Sequence, residues 1–116
     1  MADNLLVDLS KEFAVNIINS CEVIRSRGKA TAVIGQLLRC GTSIGANVHE
    51  GNYASSKADF INKFQIALKE CYETDYWLEV FFKAGMIEKD EYVTLVAQFS
   101  RIRILLISSI TTANDK

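Results

Sequence analysis

The residue types that most often do chemistry in proteins are few in this chain and stand far apart. His49 is the only histidine, and Cys21, Cys40 and Cys71 form no CxxC pair. A di-iron site in a helical bundle takes two Glu-x-x-His motifs, whereas Ala46 stands three residues before His49. Cys40 and His49 are about two and a half helical turns apart, so they point to different sides of a helix. We therefore expect no metal site and no cofactor.

Catalysis by a nucleophile or by an acid–base pair also lacks its usual groups. A nucleophilic serine or cysteine needs a neighbouring base that a third group holds in place. We predict no nucleophile elbow and no phosphate-binding Walker loop. The carboxylates of Glu50, Glu73 and Asp75 are available to an acid–base pair, but carboxylates on bundle helices more often cap helices or form salt bridges. The sequence predicts a protein that is not an enzyme.

Basic residues are concentrated at one point, where Arg25, Arg27 and Lys29 surround Gly28. They are the predicted contact for nucleic acid or another anion, and a solvated helix end is the alternative interpretation. The formal net charge of -1 and the isoelectric point of about 5.8 argue against a dedicated, histone-like nucleic-acid binder.

Four helical segments must position these residues. The 116 residues suffice for one domain, residues 1–116, and contain no proline to interrupt a helix. Apolar residues at three-and-four spacing predict helices over about 5–27, 30–49, 56–83 and 88–112. Gly28, Gly51 and Gly85 end the first three, and Ser56 with Asp59 forms a capping box for the third. Short connections predict an all-α, up-down-up-down antiparallel four-helix bundle.

Two features of the predicted helices indicate close packing and assembly. Gly41, Gly45 and Ala46 form a small-residue seam on the second helix, although each glycine costs roughly 1 kcal/mol of helix propensity relative to alanine. The third helix carries more aromatic residues than one narrow bundle seam requires, and exposed aromatic clusters mark interfaces. The predicted oligomer interface comprises Tyr72, Tyr76, Trp77, Phe81 and Phe82.

The first residues are acidic and their apolar run is short, which is unlike a signal peptide. No uncharged apolar stretch approaches the roughly 18 residues that span a bilayer. We therefore expect a cytoplasmic protein with no membrane contact.

Two blocks of sequence resemble a known family. The segment QLLRCGTSIGANVHEG (residues 36–51) resembles the second helix of bacterial four-helix-bundle proteins. These were first noticed as reading frames inside intervening sequences of large-subunit ribosomal RNA genes, and are often labelled ribosomal-type proteins. Residues 56–70 and 73–79 are similar to their third helix. The matching residues with an expected structural role are Arg39, Ser43, Asn47, Glu50, Gly51, Ser56, Asp59 and Glu73.

The resemblance implies a ring-shaped homopentamer of bundles. A related protein is the accessory factor of diversity-generating retroelements, which works beside a reverse transcriptase and binds nucleic acid through a positively charged surface. We therefore expect a self-assembling accessory protein whose partners are other copies of itself and RNA or a nucleic-acid-processing protein. A protein-interaction scaffold without nucleic-acid contact is the alternative.

Overall fold

A computed structural model describes residues 4–28 and 32–115 and contains four helices. They are α1 (Asn4–Ser26), α2 (Ile34–Asn52), α3 (Lys57–Lys83) and α4 (Lys89–Asn114). Each helix packs against its two neighbours in the cyclic order α1, α2, α3, α4. The short turns and this order give an antiparallel bundle measuring 48 × 21 × 19 Å. The predicted fold class is confirmed.

The core is made by the inward stripe of each helix. All four helices contribute apolar residues to it, and Leu9, Phe60 and Tyr92 are partly buried at its margin. Thr74 is buried as well, and its hydroxyl donates to the Glu70 carbonyl oxygen one turn earlier. The largest fully buried side chains are Phe13, Phe64, Phe81, Leu6, Ile17, Ile24, Ile34, Leu37, Ile44, Leu78, Leu95 and Ile102.

The connection between α1 and α2 is longer than predicted. Gly28 adopts a φ of 70°, which favours glycine and ends α1 as expected. The predicted start of α2 at Ala30 lies outside the described residues, and helical structure begins only at Ile34. Val33, which precedes it, offers no side-chain oxygen to cap the free amides of a first turn. Val33 therefore gives no side-chain start signal for α2.

The end of α2 was predicted at Gly51, yet the helix continues to Asn52. A β-carbon on Gly51 would lie 2.6 Å from Cε1 of Phe64, closer than carbon atoms approach. Gly51 is therefore needed for the packing of α3 against α2, and it does not terminate the helix. The chain turns after it through residues 53–56.

The start of α3 follows the predicted cap. Ser56 adopts an extended backbone, and its hydroxyl oxygen accepts a hydrogen bond from the Asp59 amide at 3.1 Å. At the other end, Gly85 adopts a φ of 79° and turns the chain toward α4. Phe82 and Tyr92 stack across this turn with ring centroids 4.3 Å apart, which fixes the register of α3 and α4.

The small-residue seam of α2 faces α1. A β-carbon on Gly41 would lie 2.9 Å from two side-chain carbons of Ile17, and one on Gly45 would lie 3.1 Å from the Ser10 carbonyl oxygen. The assignment of Ala46 to this seam was wrong, because Ala46 is exposed. It follows Gly45 by one residue, and one residue turns an α-helix by about 100°, away from α1.

Candidate interaction surfaces

The predicted basic cluster lies at the end of α1. Arg25 is exposed and donates to the Glu22 carboxylate one turn earlier, with 2.5 Å between Nη1 and Oε1. Arg27 is exposed and makes no ion pair with another described residue, while Lys29 lies outside the described residues. Pairing with Glu22 offsets the charge of Arg25, so Arg27 provides the uncompensated charge in the described part of this cluster.

A shallow groove runs beside the same end of the bundle, between α1 and α4. It encloses about 360 Å³ and is lined in part by Asp90 and Glu91. The Ser20 hydroxyl donates to a Glu91 carboxylate oxygen at 2.5 Å, and the Asn16 amide donates to Gln98 at 3.1 Å. These acidic side chains lie near the basic cluster and reduce the attraction of this end for phosphate.

The predicted aromatic interface separates into surface and core residues. Tyr72 and Tyr76 are 52% and 58% exposed, so their rings are available on the outer side of α3. Trp77 and Phe82 are half-buried. Phe81 is only 1% exposed and packs in the core of its own chain, so its assignment to the interface was wrong. Its position on the inward stripe with Thr74 and Leu78 accounts for this.

A second apolar surface lies on α4 and was not predicted. Val93, Val96, Ile104 and Ile107, here called the α4 stripe, lie on one side of the helix because they are separated by multiples of three and four residues. Val93, Ile104 and Ile107 are exposed, with 62% of Ile104 accessible. The inner face of the same helix carries Leu95, Phe99, Ile102, Leu106 and Ile110.

With two apolar faces, α4 is long and apolar enough to cross a membrane by length and composition. Only 22% of its most apolar 18-residue window is buried by the rest of the chain. A helix in the core of a soluble bundle passes the same test, and here the inner face is used by the bundle core. The outer face remains without a partner in the single chain.

Several residues that match the resembled family form ion pairs between α2 and α3. Arg39 donates to the carboxylates of Glu70 and Glu73 on α3, and the bond to Glu73 is the shorter one. This hydrogen bond holds the pKa of Glu73 below its ordinary value of 4.5. Glu50 pairs with Lys63 at 3.1 Å. The two carboxylates are thus occupied by cations of a neighbouring helix.

Replacing Arg39 by glutamine should lower the free energy of unfolding by about 0.2–1 kcal/mol near neutral pH, since the ion pair is partly exposed. The pKa of Glu73 is lower in the folded protein than its ordinary value of 4.5, so the ion pair contributes fully to the free energy of unfolding above pH 4.5. This contribution is lost as the pH falls through the lower pKa of the folded protein. Urea titrations of both proteins over an acid series measure this difference. A difference that persists in acid would contradict the assignment, and Lys83→Gln, which breaks an exposed pair within one helix, is the control.

Ser43 stands at the centre of a short motif that is typical of some hydrolases. Residues 41–45, Gly-Thr-Ser-Ile-Gly, match the Gly-x-Ser-x-Gly pattern of nucleophile elbows, although no elbow was predicted. An elbow exposes its serine on a sharp turn between a strand and a helix. Here Ser43 lies within α2, and its hydroxyl donates to the Arg39 carbonyl oxygen at 2.6 Å. The match comes from the two packing glycines and does not create an elbow.

The other candidate nucleophiles and ligands lie apart. All three cysteines are free and buried. Burial raises the pKa of the Cys21 thiol to about 11 and that of Cys71 to about 12, so both thiols stay protonated at neutral pH. His49 is exposed, with its ring centroid 5.2 Å from that of Tyr53. Among the described residues, no three histidine, cysteine or carboxylate side chains converge as metal ligands.

Comparison with known proteins agrees with the fold. The family model described as 23S rRNA-intervening sequence protein matches residues 2–108. A crystal structure of a protein with unknown function from the S23 ribosomal protein family of Bacteroides thetaiotaomicron VPI-5482 is similar, with a TM-score of 0.91 and 45% sequence identity. The alignment covers 96% of this chain and 99% of that chain. Comparison with curated proteins gives no match.

The family model spans nearly the whole bundle, and the related crystal structure has the same arrangement of helices. The resemblance that residues 36–51 and 56–79 indicated is thereby confirmed. The chain belongs to the 23S rRNA-intervening sequence protein family.

Proposed function

We propose that this chain is a non-enzymatic accessory protein of the cytoplasm that assembles into a homopentamer and acts through the surface of that assembly. One observation carries the proposal: α4 leaves an apolar outer face without a partner in its own bundle. Contiguous exposed apolar surface of this kind marks sites of protein association. The exposed rings of Tyr72 and Tyr76 extend the apolar surface onto α3.

The register of α3 and α4 supports a continuous surface. Phe82 stacks on Tyr92, and the two helices run in opposite directions from that turn. Tyr72 stands ten residues before Phe82, which places it at the height of Ile102 to Ile104 on α4. The tyrosine and the centre of the α4 stripe therefore lie at one level of the bundle.

Size-exclusion chromatography with light scattering tests the assembly. Five chains of 13.0 kDa give a mass of about 65 kDa, which is the expected result at micromolar concentration. A particle with the mass of one chain would contradict the proposal. Circular dichroism of the same sample reports whether the helices are intact, so an unfolded preparation is recognised.

RNA is the proposed partner of this assembly. The family name refers to the intervening sequence of 23S rRNA, and Arg27 presents an uncompensated positive charge at one end of the bundle. In a ring, the cluster of Arg25, Arg27 and Lys29 is repeated once per copy, so individually weak phosphate contacts act together. Repetition matters here because one chain has a formal net charge of -1, which by itself gives no long-range attraction to RNA.

Filter binding with structured RNA over a salt series separates RNA contact from a pure scaffold. We expect an affinity that falls steeply with salt, since phosphate contacts release counterions. Changing Arg25, Arg27 and Lys29 together to glutamate should abolish retention and leave the mass of the oligomer unchanged. If the unaltered protein retains no RNA at low salt, the scaffold without nucleic-acid contact is the better description, with another protein as partner.

A further inference from the structure

We propose that the α4 stripe of one copy packs against the outer face of α1 in the next copy, so that neighbouring bundles join side by side through two different faces. This inference rests on the proposed self-assembly and specifies which surfaces meet. The α1 face comprises Asp8, Lys11, Glu12, Val15 and Ile18, which are exposed and share the outer side of the helix. A contact between two different faces is the kind that closes a ring.

The apolar residues select α1 as the partner surface. Val15 and Ile18 are 51% and 44% exposed, and they are large aliphatic side chains on a helix whose inner face already fills the core. Within the described residues of α2, no large hydrophobic side chain is exposed, and α3 exposes only Tyr72 and Tyr76. Apart from α4, α1 therefore offers the most aliphatic surface to another copy.

The charges of the two surfaces are complementary. Between Tyr92 and Asn114 the only charged residues are Arg101 and Arg103, and the segment contains no carboxylate. The α1 face carries two carboxylates, Asp8 and Glu12, and one lysine, Lys11, so its net charge is negative. Neither Arg101 nor these two carboxylates form an ion pair with another described residue of their own chain. A basic, apolar surface thus faces an acidic, apolar one, which favours this pairing over two identical surfaces.

The heights of the residues along the bundle also match. Within one chain, hydrogen bonds from Asn16 to Gln98 and from Ser20 to Glu91 align α1 with α4. Arg101 follows Gln98 by three residues on α4, and Glu12 precedes Asn16 by four residues on α1. Because the two helices run in opposite directions, both residues lie about one turn further toward the same end of the bundle. Copies related by an axis parallel to the bundle keep these heights, which places Arg101 beside Glu12 of the neighbouring copy.

By the same alignment, the apolar parts of the surfaces meet. Val93 and Val96 lie at the height of residues 17–20 of α1, which includes Ile18. Val15 lies at the height of Gln98, between the two halves of the α4 stripe. In the half of the α4 stripe formed by Val93 and Val96, apolar side chains therefore oppose apolar side chains, and the charged groups oppose each other one to two turns away.

Charge reversal tests this pairing. Arg101→Glu would place a carboxylate against Asp8 and Glu12, and the concentration at which the oligomer dissociates should rise roughly tenfold or more. Asp8→Lys with Glu12→Lys should have the same effect from the other side of the contact. Combining the three changes in one chain should restore assembly. Dilution series followed by sedimentation velocity measure dissociation, and circular dichroism verifies that each variant is helical.

Lys57→Glu is the matched control, because it makes the same change of charge at an exposed position that forms no ion pair with another described residue. It should leave dissociation unchanged, and an equal effect at this position would overturn the inference. If Arg101→Glu leaves dissociation unchanged, or if the combined variant is not restored, the interface lies elsewhere and the proposed assembly stands. A monomeric unaltered protein would overturn both.

Discussion

Replacing Gly41 by leucine is expected to destabilise the bundle by roughly 1–3 kcal/mol, the usual range for overpacking a core. Even a β-carbon at this position would lie 2.9 Å from two carbons of Ile17. Ile17 is β-branched and fully buried, so its side chain has little freedom to move away. The helices α1 and α2 must separate to accept the larger residue, and the contacts along the whole seam weaken.

The matched control is Ala46→Leu on the same helix. Ala46 is exposed, so leucine there adds no buried volume and should change the free energy of unfolding by less than about 0.5 kcal/mol. Chemical denaturation of the three proteins at one protein concentration measures both effects. Equal stability of Gly41→Leu and the unaltered protein would show that α1 does not approach α2 at this glycine.

The contrast between Gly41 and Ala46 illustrates what the sequence could predict about packing. The four-residue interval between Gly41 and Gly45 correctly predicted a close approach of two helices, because such residues share one face. The rotation of α2 about its own axis decides whether Ala46 also faces α1, and the sequence of α2 alone did not predict this rotation. That rotation depends on the volumes of Ile17 and Ser10 on another helix, and a pattern within α2 carries no information about them.

The helices and their capping residues were predictable because their causes are local. Ser56 caps an amide three residues later, and Gly28 and Gly85 adopt backbone angles that other residues avoid. The ion pairs of Arg39 with Glu70 and Glu73 were not predicted, because their partners lie 31 and 34 residues away on another helix. Their formation depends on the final register of α2 and α3.

The candidate surfaces were harder to predict than the fold. The periodicity of α4 correctly placed Leu95 and Phe99 on the core face, but apolar residues occur nearly all around this helix, and the pattern did not predict the exposed outer face of Ile104. Aromatic content on α3 drew attention to Phe81, which turned out to be buried. Exposure is a property of the packed bundle, and only the structure distinguishes an apolar residue in the core from one at the surface.

Changing Ile104 and Ile107 to serine should therefore convert the proposed oligomer into single chains without unfolding the bundle. Both side chains are exposed in the isolated chain and neither belongs to the buried core, so the core residues keep their packing. Burying one such side chain completely contributes roughly 1.5–3 kcal/mol, and these two are already partly covered, so their combined loss per contact is of the order of 2–3 kcal/mol. That weakens each contact by roughly 30-fold to 150-fold.

Light scattering should show the mass falling toward 13.0 kDa at a concentration where the unaltered protein is assembled, with unchanged helical circular dichroism. Tyr53→Ser is the control, since Tyr53 is 79% exposed but lies at the turn between α2 and α3, away from the α4 stripe. It should leave the mass unaltered. If the double serine variant also stays assembled, α4 contributes little to association, and the tyrosines of α3 become the surface to change next.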